Sequence, residues 1–541
     1  MSKPVLRYEI WQPFLLSAMV VLGMIIGVKL VNRDYSLVRQ VDMQGISSPV
    51  GRIEEVIRFI ESRYVDTLNK EDLYDLVVEK IMENLDPHSV YISPDQINYI
   101  HEQMEGNYRG IGVESFFLDD TVRISRVLDG TPAHEAGIYP FDRLITIDDT
   151  IVAGRGMEYD DIRKMLKPPG QTNLKLGILR DNVPLNFNVP IVNVNLQSSG
   201  VAYVLEDGIG YIKVDRFSSN TYKEFMISLE RLVEEDKIKN LVIDLRGNPG
   251  GYLPETVNIL SQLFDEKGRL LVYTQGKSRK KTEYKSTGKN FFRIDKIAVL
   301  IDEGSASGSE IIAGAIQDWD RGIVIGRRSY GKGLVQEQYP LRNGGAIRLT
   351  ISRYYTPSGR SIQRPYDNGD EYNGDIFDRF HNGEMFDPYR YKSRDTTPYH
   401  TLVLKRNVFG GGGIFPDVYI PLDSVFSHYE LMTLSNFIPE FVFKKREEGS
   451  LEYFMEKNLD VADFWDFMAD QGYHKDQNNS SVSTDDLKTR IRAEYAYQSE
   501  NEIARDKILN ENNPFITAAL EYIRSNLNIL AYHDQIIKKS R

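Results

Sequence analysis

The chain has 541 residues, a net charge of −12 and no cysteine. That length exceeds a single hydrophobic core and predicts about two to four domains. A hydrophobic fraction of 41% beside a charged fraction of 27% excludes a disordered chain, the lack of a basic stripe excludes a nucleic-acid binder, and the lack of cysteine excludes disulfides, thiolate nucleophiles and cysteine metal sites.

The N-terminus carries an apolar run, Phe14 to Val28, within a stretch from Ile10 to Val31 close to the ~20 residues that cross a bilayer. The run exits through Lys29-Leu30-Val31-Asn32, which does not fit the small-residue cleavage site of a signal peptide, so an uncleaved anchor is expected. Residues from Pro49 to about Met104 read as helical, because Ile53, Val56, Ile57 and Ile60, then Leu73, Leu76, Val77, Ile81 and Leu85, recur at helical spacing. Asp86-Pro87-His88 breaks that pattern at proline, and His88 reads as part of a structural turn.

From Tyr108 to about Val192 short alternating strands take over. Gly110-Ile111-Gly112-Val113 opens this part, Thr131-Pro132-Ala133 to Ala136-Gly137-Ile138 follows, and Asp142 to Asp148 closes on a tight turn. The order resembles a PDZ domain. The resemblance implies that backbone N–H groups of Gly110, Ile111, Gly112 and Val113 receive a peptide's terminal carboxylate, with the peptide added as a strand at the sheet edge. Glycines let the backbone approach that carboxylate closely.

From Gly208 to about Asp423 strands and helices alternate, which predicts a largely buried sheet covered by helices. The strand-length runs are Gly210–Val214, Leu241–Leu245, Lys296–Ile301 and Gly322–Ile325, with helices at Thr221–Glu235, Pro254–Phe264 and Ser309–Trp319. Residues 365 to about 411, rich in Tyr, Asp and Gly, read as a surface insertion or lid. From about Val425 to Arg541 the chain reads as a polar α-helical appendage, with a loop at Asn478 to Thr484.

Three segments carry chemistry. Asp244-Leu245-Arg246-Gly247-Asn248-Pro249-Gly250-Gly251 follows a buried strand and precedes a helix, where exposed N–H groups can form half of an oxyanion hole. A structural turn is the alternative; a phosphate loop would need GxxxxGK[ST], which is absent. Gly304-Ser305-Ala306-Ser307-Gly308-Ser309-Glu310 sits at a strand–helix junction, where the helix dipole favours a nucleophile. Three serines compete there, and a helix N-cap is the alternative role. In Tyr330-Gly331-Lys332-Gly333 the flanking glycines let an amine approach a partner, and desolvation would favour its neutral, basic form. Gln336, four residues on, is placed to hold that amine.

Together these segments resemble the carboxyl-terminal processing peptidases, or tail-specific proteases. The resemblance extends to Pro357-Ser358-Gly359-Arg360-Ser361-Ile362-Gln363 and Pro416-Asp417-Val418, and so spans roughly residues 50 to 420. It implies an α/β protease core with a mixed, largely buried β-sheet, an inserted PDZ domain, and α-helical N- and C-terminal segments. The family spacing of 25 residues from serine to lysine selects Ser307 with Lys332. It implies Ser307 as nucleophile, Lys332 as base and Gln336 as its orienting partner, with Gly308 and Gly250 or Gly251 as oxyanion donors, and no metal or organic cofactor. Two departures stand out. Gly308 replaces the family's usual alanine, and about 48 residues separate Gln363 from Gly412 where the family runs on almost directly.

The expected division is an N-terminal tail and anchor over 1–31, a helical segment over 32–104, the PDZ domain over 105–192, the Ser–Lys core over 193–424 with its insertion at about 365–411, and a helical extension over 425–541. Expected partners are protein or peptide substrates with apolar C-terminal tails, and a membrane through the N-terminal helix. The terminal helical segments are candidate surfaces for a homo-oligomer or an adaptor. The resemblance implies an extracytoplasmic catalytic part, on the periplasmic face of a bacterium. The contrasting reading is a membrane-anchored PDZ peptide sensor or scaffold with little or no catalytic turnover.

Overall fold

The computed structural model describes residues 17–24, 49–366, 369–391, 395, 397–422, 425–449, 461–474, 480–525, 527–532 and 535. The chain divides into two units, residues 1–81 and 82–541. In the first, residues 17–24 are helical, and the rest of the expected anchor Phe14–Val28 lies outside the described residues. Among the described residues no helix is long and apolar enough to cross a membrane. Further along, Ile53, Val56, Ile57 and Ile60 of the helix Pro49–Arg63 border a groove with Leu73 and Val77.

The second unit is built on a six-stranded sheet. Its order is Ala202–Glu206, Ile209–Lys213, Asn240–Asp244, Ile297–Ile301, Ile323–Gly326 and Val418–Tyr419. The first pair is antiparallel and the rest are parallel, so the sheet is mixed as expected. Strand side chains alternate between faces. Leu241, Ile243, Val299 and Ile301 therefore meet the helices Thr221–Glu234, Leu253–Gln262 and Gly308–Asp318 on one side. Val242, Ala298, Leu300 and Ile325 emerge on the other, where Phe515, Ile516 and Ala519 of the helix Pro514–Arg524 cover them. The C-terminal segment is thus more than an appendage: parallel strands need both faces buried, and its last long helix is the second cover.

A second, antiparallel sheet lies beyond the first helical layer. It runs Val90–Ile92, Ala346–Tyr355, Leu270–Gln275 and Thr282–Lys285, with Leu334–Pro340 also paired to Ala346–Tyr355. The PDZ-like sheet is a separate β-rich body with its own apolar core, centred on Ile124, Leu144, Leu176 and Ile178. It joins the core through a two-stranded link, Asn107–Gly110 against Val192–Asn195.

The insertion has a buried face as well as an exposed one, on which Phe377 is 54% exposed. It holds a helix, Gly369–His381, in which Tyr372 and Arg379 are buried. Arg379 is 1% exposed, which a surface lid would not require of it.

Candidate active site

Ser307 ends the turn after the strand Ile297–Ile301 and starts the helix Gly308–Asp318. Its backbone sits at φ +53° and ψ −109°, a conformation that costs a non-glycine residue ~1–3 kcal/mol and persists only when its surroundings impose it. Several bonds impose it here. Ala306 N–H donates to Asn248 O at 2.9 Å, Ser309 Oγ donates to the same carbonyl at 3.0 Å, and Ser307 N–H donates to Glu310 Oε2 at 2.8 Å. The competing serines are thereby accounted for. Ser305 and Ser309 are buried, with Ser305 Oγ donating to Leu245 O at 2.7 Å. Ser307 alone of the three lines the cleft.

That cleft is about 810 Å³ and is walled by Met104, Tyr252, Ser307, Lys332, Gln338 and Arg348 among others. No described residue of the insertion lines it. Glu310, fully buried, ties the nucleophile turn to the lysine loop. Besides Ser307 N–H it accepts Ser329 Oγ at 2.6 Å, Gly331 N–H at 2.7 Å and Lys332 N–H at 2.9 Å. Burial raises its carboxyl above the ordinary range, and those donors oppose the rise. Tyr354 Oη completes the tie, donating between Ser307 O at 3.0 Å and Lys332 O.

Lys332 is half-buried. Desolvation lowers its ammonium below the ordinary lysine range, and the Arg348 charge lowers it further, against Glu310 and Asp86. Neither a Ser307–Lys332 nor a Gln336–Lys332 side-chain hydrogen bond occurs among the described residues. Gln336 Nε2 donates instead to His88 O at 2.9 Å. A bulge at Val335–Gln336 in the pairing with Ala346–Tyr355 accompanies that direction.

Of the expected oxyanion donors, Gly250 N–H is already bonded to Asn248 Oδ1 at 2.8 Å. Gly308 and Gly251 remain beside Ser307 in the cleft lining. The glycine at 308 has a local cause: a methyl there would lie 2.6 Å from Thr256 Oγ1 and 2.9 Å from the Phe217 ring. The turn is anchored from behind by buried Asp244, which accepts Tyr211 Oη at 2.7 Å and Arg246 Nε at 2.9 Å.

Gly110 ends the linking strand Asn107–Gly110, and Val113 begins the first strand of the PDZ-like sheet, Val113–Leu118, which pairs only with Thr121–Val127 among the described strands. The helix Tyr159–Met165 crosses near it. Tyr159 stacks on Phe117 at 5.6 Å and its hydroxyl donates to Ser115 O at 3.0 Å.

A family model for peptidase family S41 matches residues 208–369, and one for the PDZ domain matches residues 100–179. A carboxy-terminal-processing protease of Bartonella bacilliformis is 31% identical over 324 residues, 59% of this chain and 74% of that protein. The chain belongs to the carboxy-terminal-processing proteases. Carboxy-terminal processing protease CtpB of Bacillus subtilis is 29% identical, with 58% of this chain matched to 65% of that protein. A solved photosystem II D1 C-terminal processing protease shares 25% identity over 57% of this chain and 82% of that one, at a TM-score of 0.33. The S41 and PDZ matches together with the 31% identical relative make the protease a serine peptidase with a PDZ domain. Sequence reasoning missed two groups that shape its site: Glu310, quoted only as part of a motif, and the buried residues of the insertion. Glu310 had a signal, since an acid three residues into a helix after a serine turn reads as a capping box. Arg379 and Tyr372 had none, because burial of a polar-rich insertion is a tertiary fact.

Proposed function

We propose that the protease cleaves peptide bonds with Ser307 as nucleophile and Lys332 as general base, on chains that its PDZ domain selects by their C-terminal residues. The observation that carries this is the cleft itself: of three neighbouring serines only Ser307 opens into it, and Lys332 lines the same wall with its ammonium destabilised by burial. Ser307 Oγ bonds to the substrate carbonyl carbon while its proton passes to neutral Lys332 Nζ. The tetrahedral oxyanion is received by the N–H groups of Gly308 and Gly251, placed at the helix start and the glycine turn. As the C–N bond breaks, Lys332 returns the proton to the leaving amine. It then takes a proton from the water that attacks the acyl-enzyme and passes it to Ser307 Oγ as the acyl C–O bond breaks, so that Ser307 and the neutral amine are restored and the new acid ionises to solvent. Gln336 acts on Lys332 through the strand and through His88, without bonding the amine in this state.

Substrates would be proteins with apolar tails whose carboxylate meets the Gly110–Val113 loop. The strand Val113–Leu118 supports that reading with an unpaired edge, and a peptide entering there displaces the Tyr159 hydroxyl from Ser115 O. The apolar run Phe14–Val28 would anchor the chain in a membrane, with the catalytic part outside the cytoplasm. Exposed Val56 and Phe59 on the helix Pro49–Arg63 support the N-terminal helices as an assembly surface.

The test compares the full chain with Ser307→Ala and Lys332→Ala on an unfolded model protein carrying either a free or an amidated apolar tail. Cleavage abolished in both variants and weakened by amidation is the expected result. Lys332→Arg should stay inactive, because a guanidinium keeps its proton. Cleavage retained by Ser307→Ala removes the nucleophile assignment, and cleavage indifferent to amidation removes the tail-reading role.

A further inference from the structure

We propose that the inserted helix Gly369–His381 is a strut that holds the Lys332 loop on both of its flanks, with Arg379 and Tyr372 as positioning residues for the general base. The inference rests on the Ser–Lys reading above and concerns a segment that the family pattern does not contain.

The upstream flank is held by Arg379. Its guanidinium is buried and donates to Arg328 O at 2.8 Å, Ser329 O at 2.9 Å and Tyr330 O at 3.4 Å. These are three consecutive carbonyls immediately before the Gly331-Lys332-Gly333 turn. A planar fork of five fixed donors suits that task, and an ammonium does not. Asp375, one helical turn earlier, pairs with Arg379 at 2.8 Å and with Arg364 at 2.6 Å. Arg364 in turn lies 4.0 Å from the rings of both Tyr330 and Tyr372, and its backbone N–H donates to Gly331 O at 3.0 Å.

The downstream flank is held by Tyr372. Its hydroxyl lies 2.5 Å from His88 Nε2, and the His88 carbonyl accepts Gln336 Nε2 at 2.9 Å. The turn that carries His88 is itself fixed, since Asp86 accepts the N–H groups of His88 at 2.9 Å and Ser89 at 3.0 Å. Lys332 thus sits between two restraints that lead back to one helix. Two glycines flank it, so its loop has little stiffness of its own. A misplacement of about 1 Å at a reacting group can lower a rate ~100-fold, so rigidity has to come from outside the loop. The strut supplies it without entering the cleft, which is why its loss should spare substrate binding.

The experiment measures kcat and KM of the full chain on β-casein for Tyr372→Phe and Arg379→Lys, with Lys332→Ala in parallel and thermal melting of each. Tyr372→Phe removes one hydroxyl and keeps the buried ring, so it stays informative where Arg379→Lys fails to fold. The expected result is a fall in kcat of about tenfold or more, with KM within about twofold, for each variant that melts cooperatively. Tyr372→Phe with wild-type kcat overturns the strut while Lys332→Ala remains inactive. A KM rise with unchanged kcat also overturns it, since that marks a substrate-binding role. Activity retained by Lys332→Ala overturns the base assignment, and the strut falls with it.

Discussion

Ser307 and Lys332 show how single residues take their chemistry from neighbours. A serine hydroxyl and an exposed ammonium are both inert at neutral pH; here one is held at a strained backbone angle and the other is desolvated beside a cation. On the proposed mechanism Lys332 acts as the neutral amine, so activity should rise with pH through its lowered ionisation and level off below the ordinary lysine value of about 10.4. Arg348 contributes to that lowering. Arg348→Gln removes the like charge, so the ammonium becomes more stable and the acid limb of the kcat–pH profile moves to higher pH. A limb that stays in place, or moves down, removes Arg348 from the tuning of Lys332. His88 belongs to the same neighbourhood, with burial pushing its imidazole down to about 4, so near neutral pH the ring that meets Tyr372 is uncharged.

The elements that surround the site were legible to different degrees. The strands Asn240–Asp244 and Ile297–Ile301 announced themselves by the unbroken apolar runs Leu241–Ile243 and Ile297–Ile301, since a strand buried on both faces shows no polar alternation. The three motif turns were legible because glycine clusters at strand ends are rare without a close approach to explain them. The second sheet was not: Leu334–Pro340 alternates weakly and ends exposed, and its role depends on pairing with Ala346–Tyr355. The helix Pro514–Arg524 was read as helical, but nothing local said which surface it covers. Phe515 there is buried against the sheet and also lies 4.9 Å from Arg246 and 5.2 Å from Arg327. Phe515→Ala should therefore cost ~3–5 kcal/mol of stability, the range for a buried phenylalanine, read as a lower urea midpoint. A cost under about 1 kcal/mol would show that the helix is dispensable to the core, given that loss of a buried ring of this size normally exceeds it.

At the scale of the molecule, the C-terminal extension connects two bodies. Its helix Pro514–Arg524 closes the protease sheet, while Phe443 packs on Phe116 and Phe141 of the PDZ domain at 5.5 and 5.1 Å. Tyr497 Oη adds a bond to Glu114 at 2.9 Å, on the strand that would receive a substrate tail. The PDZ domain is covalently tied only through the segments before Asn107 and after Asn195, so these contacts restrain its swing. Phe443→Ala should speed amide exchange in Asn107–Gly110 and Val192–Asn195 by about tenfold, given ~0.5–1.5 kcal/mol for each aromatic pair lost. Exchange unchanged in those strands would mean that the link itself sets the domain's position.

The sequence by itself determined the domain order, the buried parallel strands and the spacing of serine and lysine, because each is written in local residue types and short intervals. Tertiary structure alone decided that Tyr354 Oη bonds the carbonyls of Ser307 and Lys332, that Gln336 turns to His88, and that Tyr372 and Arg379 of the insertion are buried behind the lysine loop. The physical reason is common to all three. A hydrogen-bond donor is satisfied by whatever acceptor the fold brings near, and residues as far apart as Arg379 and Ser329 meet only after the chain has closed on itself.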